Sequence, residues 1–215
     1  MSAFWLSVQL AAVTTLLLLP LGIALGRWLA ISDFRGKPWL ESMLLLPLVL
    51  PPTVIGYYLL VTFSPNAVVG KFWTSLFGTP LVFSFAGLVL ASCLVNIPFA
   101  VQPMQLAYRQ LPDNVREAAY VSGLSRWKTW RRVELPMTFS GVLTSAALVF
   151  AHTLGEFGVV LMVGGNIEGR TRTLSIAIYD SVQSFDMKTA GLYSLALVVF
   201  SVLTLVTLRY STRTP

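Results

Sequence analysis

The sequence predicts an all-α integral membrane protein with about five transmembrane helices. Three observations lead there. Of 215 residues, 55% are hydrophobic and only 11% are charged, against about 25% charged in an ordinary soluble domain. Mean hydropathy is +0.74. The apolar residues also fall into long runs, each close to the roughly 20 residues that cross a hydrocarbon core of about 30 Å. An ordinary soluble enzyme and a disordered chain are both excluded.

The first span covers 5–28. Met1-Ser2-Ala3 leads straight into Phe4-Trp5 without a basic flank, so this segment reads as a retained span rather than a cleavable signal peptide. Gly22 and Gly26 are four apart, a spacing that lets a second helix approach closely. The second span, 40–63, holds Pro47, Pro51 and Pro52. Each proline removes a backbone donor, so this helix is expected to kink or unwind and to face protein, not lipid. The short aromatic stretch up to Thr79 suits an interfacial helix. The third span covers 81–101, with Asn96 and Pro98 near one end. A long polar segment, 104–136, precedes the fourth span, 139–163, which stops at Gly164-Gly165-Asn166. Residues 174–182 suit a short helix packed against protein, and a sixth membrane-inserted segment near 171–186 would have to be re-entrant. The fifth span covers 189–208. The chain 1–215 reads as one transmembrane domain.

The net charge of +6 reads as topology rather than nucleic-acid binding. Arg27, Arg35, Lys37, Arg109, Arg116, Arg126, Lys128, Arg131, Arg132, Arg209 and Arg213 fall on one side of a five-span layout. Lys71, Arg170, Arg172 and Lys188 fall on the other. Cytoplasmic loops collect Lys and Arg, which places the N-terminus outside and the C-terminus in the cytoplasm. The lone Cys93 has no disulfide partner and no metal-ligand spacing around it.

The segment 104–136 carries the most chemistry. Asp113 is expected to cap a helix that runs to Ser122. Gly123 stands where a helix stop takes a left-handed residue. Ser125 is placed to cap a second short helix bearing Arg126, Trp127, Lys128 and Trp130, and Pro136 is expected in the first turn of the fourth span. This is a cytoplasmic helix-turn-helix. Its composition alone suits a protein-docking surface and a solvated loop with tryptophans at the headgroups equally well.

Spacing separates the two. Glu117-Ala118-Ala119, three residues, Gly123, nine residues, Val133, one residue, Leu135-Pro136 resembles the EAA loop of ABC importer permeases, E-A-A-x3-G-x9-I-x-L-P, with Val133 in place of Ile. The resemblance implies a type I ABC importer permease fold in which this loop docks on a separate ATPase. Glu117 would brace the turn, Gly123 would make it, and Ala118, Ala119, Leu124, Trp127, Val133, Leu135 and Pro136 complete the coupling set. The chain has no G-x-x-x-x-G-K-[ST]: Gly36-Lys37 runs into Pro38, and Gly70-Lys71 into Phe72. ATP and Mg would therefore bind the partner ATPase, and this chain would be a transport subunit without a cofactor of its own.

The resemblance extends to the span from Leu45 to Tyr57, to Leu154-Gly155-Glu156-Phe157-Gly158 and to Thr171–Tyr179, which look like molybdate permeases; sulfate and tungstate permeases share much of the pattern. It implies a homodimer with the pore between two copies, two ATPase subunits and an external oxyanion-binding protein. Pro51, Pro52, Gly155, Glu156 and Gly158 become pathway or gate candidates. Glu156 is an acid deep inside a span, where a charge costs at least ~2.5 kcal/mol. His152 lies one turn earlier on the same face, so the pair reads either as a gate or as a structural contact. Arg170 and Arg172 at the outer end either meet an anion or pair with Glu168 or Asp180. No second histidine exists for a zinc site. An ion-coupled carrier or a channel would need no turn of the EAA form.

Overall fold

Two glycines set the main packing axis. The computed structural model describes residues 3–211. Arg213, assigned above to the cytoplasmic tail, and the side chain of Arg209 lie outside what it describes. All elements among the described residues are helical. Helix α1 (Ala3–Ile31) lies along α5 (Phe85–Arg109). A Cβ added at Gly22 would stand 2.6 Å from the Ala100 carbonyl oxygen, and one at Gly26 would stand 2.6 Å from the Met104 Cβ. The backbones are therefore as close as the sequence allows, as the four-residue spacing predicts. Helix α9 (Phe139–Gly155) closes on the same helix, with Gly141 against Ala107 and Ser145 Oγ donating to the Ala100 carbonyl at 2.9 Å. More than half of α5's apolar window is buried, against 6% for α12 (Met187–Ser211). So α5 is the centre of the bundle and α12 its periphery.

The second apolar run is two helices, α2 (Lys37–Val49) and α3 (Pro52–Phe63), at 106° to each other. Leu50 (ψ 139°) and Pro51 (ψ 135°) are both extended, because each precedes a proline that excludes the helical region. The expected kink is a full break. The expectation that this run faces protein fails within the chain: α2 buries no residue, and α3 buries only Gly56 and Phe63. Helix α4 (Val68–Phe77) fills the aromatic stretch.

The polar segment before the fourth apolar run forms α6 (Asp113–Val121), α7 (Arg126–Thr129), a π-helical turn (Trp130–Glu134) and α8 (Leu135–Met137). Two sequence expectations need correction. Asp113 is the first helical residue rather than the cap, because Pro112 (ψ 137°) supplies the extended residue; the carboxylate still meets the positive end of α6. Pro136 does not open the fourth span. It continues the run Arg126–Met137, which meets α9 at 68° beyond Thr138. The π turn lets the Leu135 N–H reach the Trp130 carbonyl, and this widening makes room for a proline ring inside a helical run.

The fourth apolar run also breaks. Helix α9 stops at Gly155, Glu156 is extended (ψ 129°), and α10 (Gly158–Gly164) starts anew, so 139–163 is not one helix. Helix α11 (Leu174–Gln183) packs on protein as expected: the Leu174 N–H donates to Ser7 Oγ at 2.7 Å, and Ser175 Oγ donates to the Leu154 carbonyl at 3.2 Å. Helices α1, α5 and the first part of α12 are each long and apolar enough to cross a membrane. The number reaches five when each bent pair, α2 with α3 and Arg126–Met137 with α9, is taken as one span.

Candidate functional site

The turn between α6 and α7 is held by its own backbone and two serine hydroxyls, Ser122 Oγ donating to the Ala118 carbonyl at 2.8 Å. Gly123 has φ +79°, a conformation that costs an L-residue roughly 1–2 kcal/mol. In that conformation its N–H reaches the Tyr120 carbonyl at 2.9 Å, and the Leu124 N–H reaches Ala119 at 3.1 Å, satisfying the last carbonyls of α6. Ser125 caps α7, its Oγ accepting from the Lys128 N–H at 3.5 Å. Glu117 takes no part. Its side chain is exposed and makes no hydrogen bond or ion pair with any described residue. Glu117, Ala118, Trp127 and Pro136 face outward, Ala119 is buried, and Leu124, Val133 and Leu135 are half-buried.

Beneath this turn lies a charge cluster. Glu134 is fully buried. Arg27 of α1 donates to both carboxylate oxygens, Nε to Oε2 at 2.5 Å and Nη2 to Oε1 at 3.0 Å. Arg116 of α6 donates from Nε to Oε1 at 3.2 Å and from Nη2 to the Tyr108 carbonyl at 3.4 Å. Trp130 Nε1 donates to the Tyr108 hydroxyl at 3.1 Å. The fork of Arg27 suits two-point recognition of a carboxylate. One acid thus joins α1, α6 and the π turn, and Arg116 and Trp130 tie the group to the end of α5.

The two helix breaks meet each other. A Cβ at Gly158 would lie 2.8 Å from the Pro52 Cβ, and one at Gly56 would lie 2.8 Å from the Met162 Cβ. Glu156 is buried and accepts from the Val159 N–H at 3.3 Å, so it caps α10. His152 Nδ1 lies 3.7 Å from Glu156 Oε2 and 3.0 Å from Asn96 Oδ1. Asn96 Nδ2 donates to the Ser92 carbonyl at 2.8 Å. That leaves Oδ1 toward the imidazole, so Nδ1 is the donor. Gly155 is exposed with open space around it, and Pro51 is exposed.

Residues 19–212 match the family of the binding-protein-dependent transport system inner membrane component. The chain belongs to this family. It is 43% identical to the molybdenum transport system permease protein ModB of Azotobacter vinelandii, over 99% of this chain and 94% of that one. It is 38% identical to the putative molybdenum transport system permease protein YvgM of Bacillus subtilis, over 93% and 88%. Its fold matches a bacterial ABC transporter involved in the import of the acidic polysaccharide alginate, with TM-score 0.79 and 16% identity, covering 98% of this chain and 78% of that one. The fold is that of a type I ABC importer permease.

In this permease the coupling candidates Glu117, Ala118, Ala119, Gly123, Leu124 and Trp127 gather at the turn between α6 and α7, with Val133, Leu135 and Pro136 following in the π turn and α8, while Pro52, Glu156 and Gly158 gather where the second and fourth apolar runs break. Sequence reading missed Glu134, which occupies the unspecified position between Val133 and Leu135, and missed its partner Arg27, read only as a cytoplasmic cation. The available signal was an acid following Arg131-Arg132 in a segment rich in cations. Between α10 and α11, Arg172 is committed to Asp180 at 2.7 Å and to Asn166 at 2.6 Å, the pairing that competed with an anion contact.

Proposed function

We propose that this permease imports molybdate as a pair of identical chains, driven by two copies of a separate ATPase and supplied by an oxyanion-binding protein outside the membrane. The observation that carries this reading is likeness over nearly the whole chain to permeases named for molybdenum transport. ATP and Mg bind the ATPase partner. The N-terminus faces outside and the C-terminus the cytoplasm, in line with the distribution of Lys and Arg.

The geometry supports a pathway at the broken helices. Irregular backbone at membrane depth is stable only where it is buried in protein or lines water. The break at Leu50-Pro51 is exposed on this chain, so it faces a second copy or an aqueous path rather than lipid. Placing the second copy there also covers α2, which buries nothing within its own chain. The outward residues Glu117, Ala118 and Trp127 form the ATPase contact, and ATP-driven closure of the ATPases biases the permease pair between two states.

Uptake of labelled molybdate, with sulfate as competitor, in cells with and without the gene tests the substrate. Loss of molybdate uptake insensitive to excess sulfate is expected. Lost sulfate uptake with normal molybdate uptake would replace the substrate and leave the permease assignment standing.

A further inference from the structure

We infer that Arg27 and Glu134 are positioning residues that carry movement of the cytoplasmic turn into the first span, an inference that rests on reading that turn as the ATPase-coupling element. The EAA-type turn touches the membrane bundle through few polar contacts. Its motif acid, Glu117, points away from the chain. The acid that holds the turn to the bundle is Glu134, fully enclosed, with Arg27 from α1 on both oxygens and Arg116 from α6 on one. Removing a buried carboxylate from between two guanidiniums leaves like charges facing each other, so the group holds together or is lost as a unit. Arg116 extends it to the Tyr108 carbonyl, and Trp130 extends it to the Tyr108 hydroxyl.

The geometry gives this network direction. Arg27 lies one residue from Gly26, whose close approach to Met104 locks the same end of α1 to α5. A displacement of α6 delivered by a partner therefore passes through Arg116 and Glu134 to Arg27, and through Gly26 to the α1–α5 pair. Without Glu134, α6 would keep the Arg116 bond to the Tyr108 carbonyl and the apolar packing that precedes it in the chain, and would lose its polar link to α1. The π turn places Glu134 under α6, so the local widening serves this contact as well as Pro136.

The test uses the complete complex of permease, ATPase and binding protein in proteoliposomes, reading labelled molybdate taken up per ATP hydrolysed. Glu134→Gln and Arg27→Met are each expected to lower that ratio about fivefold or more in complexes that retain the wild-type proportion of ATPase. The double variant is expected to be no worse than either single one, since both remove the same link. A purely structural role would reduce the amount of assembled complex and leave the ratio unchanged. Arg27→Lys, which keeps the charge and loses the fork, is the milder variant should the others fail to assemble, and it too is expected to lower the ratio. A wild-type ratio in assembled Arg27→Lys and Glu134→Gln complexes, or losses that add in the double variant, would overturn the inference. Gly123→Ala serves as the control: if it lowers the ratio while the Glu134 variant does not, this inference alone falls. If neither does, the coupling role of the turn falls with it.

Discussion

Gly158 rests against Pro52, so close that a Cβ on the glycine would stand 2.8 Å from the proline Cβ. The contact joins the first turn of α3 to the first turn of α10, and so joins the two breaks that interrupt the second and fourth apolar runs. The proline ring cannot rotate away, and the glycine is what allows the two helix starts to touch. Gly158→Ala is expected to cost about 1–3 kcal/mol, the usual penalty of overpacking, and to lower uptake by pushing the breaks apart. Thermal unfolding of the purified permease checks this. An unchanged midpoint would mean that α3 and α10 separate freely.

The α1–α5 contact gives a paired prediction. Gly26→Val places a branched side chain where the Met104 Cβ and the Gln105 backbone already stand within 2.8 Å of an added Cβ. Gly191→Val on α12 meets open space. The first is expected to abolish folded protein in detergent and the second to leave its yield near wild type, as size-exclusion profiles of both variants will show. Equal profiles would contradict the place of α5 at the centre of the bundle.

A pH dependence follows from Asp186, which precedes α12. Hydrogen bonds from the Thr189 side chain and backbone hold its carboxyl below the usual range, the Thr189 N–H lying 3.1 Å from Oδ1. Because the folded value is the lower one, the stabilisation is fully present above the ordinary carboxylate pKa of about 3.9 and is lost as pH falls through the folded value. The first-turn amides of α12 are expected to exchange faster below that window than above it. In Asp186→Asn this acid-dependent step is expected to vanish, as hydrogen exchange at neutral and acid pH will show.

Much of this architecture was legible because it depends on neighbours in sequence. Gly22 and Gly26 announce a close helix contact through their spacing alone. Gly123 and Ser125 announce a turn through local backbone chemistry. Pro51 and Pro52 announce a disturbance, but not a 106° break, since the angle depends on what the freed helix ends pack against. The break at Glu156 was hidden inside an unbroken apolar run, where the carboxylate reads as a costly intruder rather than the cap of a new helix. Arg27 and Glu134 are 107 residues apart, and no local pattern pairs them. The pairing exists because the Gly26 contact and the π turn bring two remote segments to one point.

Glu117 separates binding from stability. Its side chain, exposed and unbonded among the described residues, contributes little to the fold, so Glu117→Ala is expected to change the permease's stability by less than about 0.5 kcal/mol. If the glutamate meets a donor on the ATPase, its loss removes a hydrogen bond to a charged group, worth about 1.5–3 kcal/mol, which corresponds to ATPase binding weaker by roughly 10- to 150-fold. Gly123→Pro differs in kind. It removes the N–H that reaches Tyr120 and forbids φ +79°, so both the turn and the binding should fail. Titrating purified ATPase onto permease in nanodiscs, alongside unfolding midpoints, measures both quantities. Early melting of Glu117→Ala with normal ATPase affinity would restore the bracing role that the motif implies and remove this residue from the contact surface.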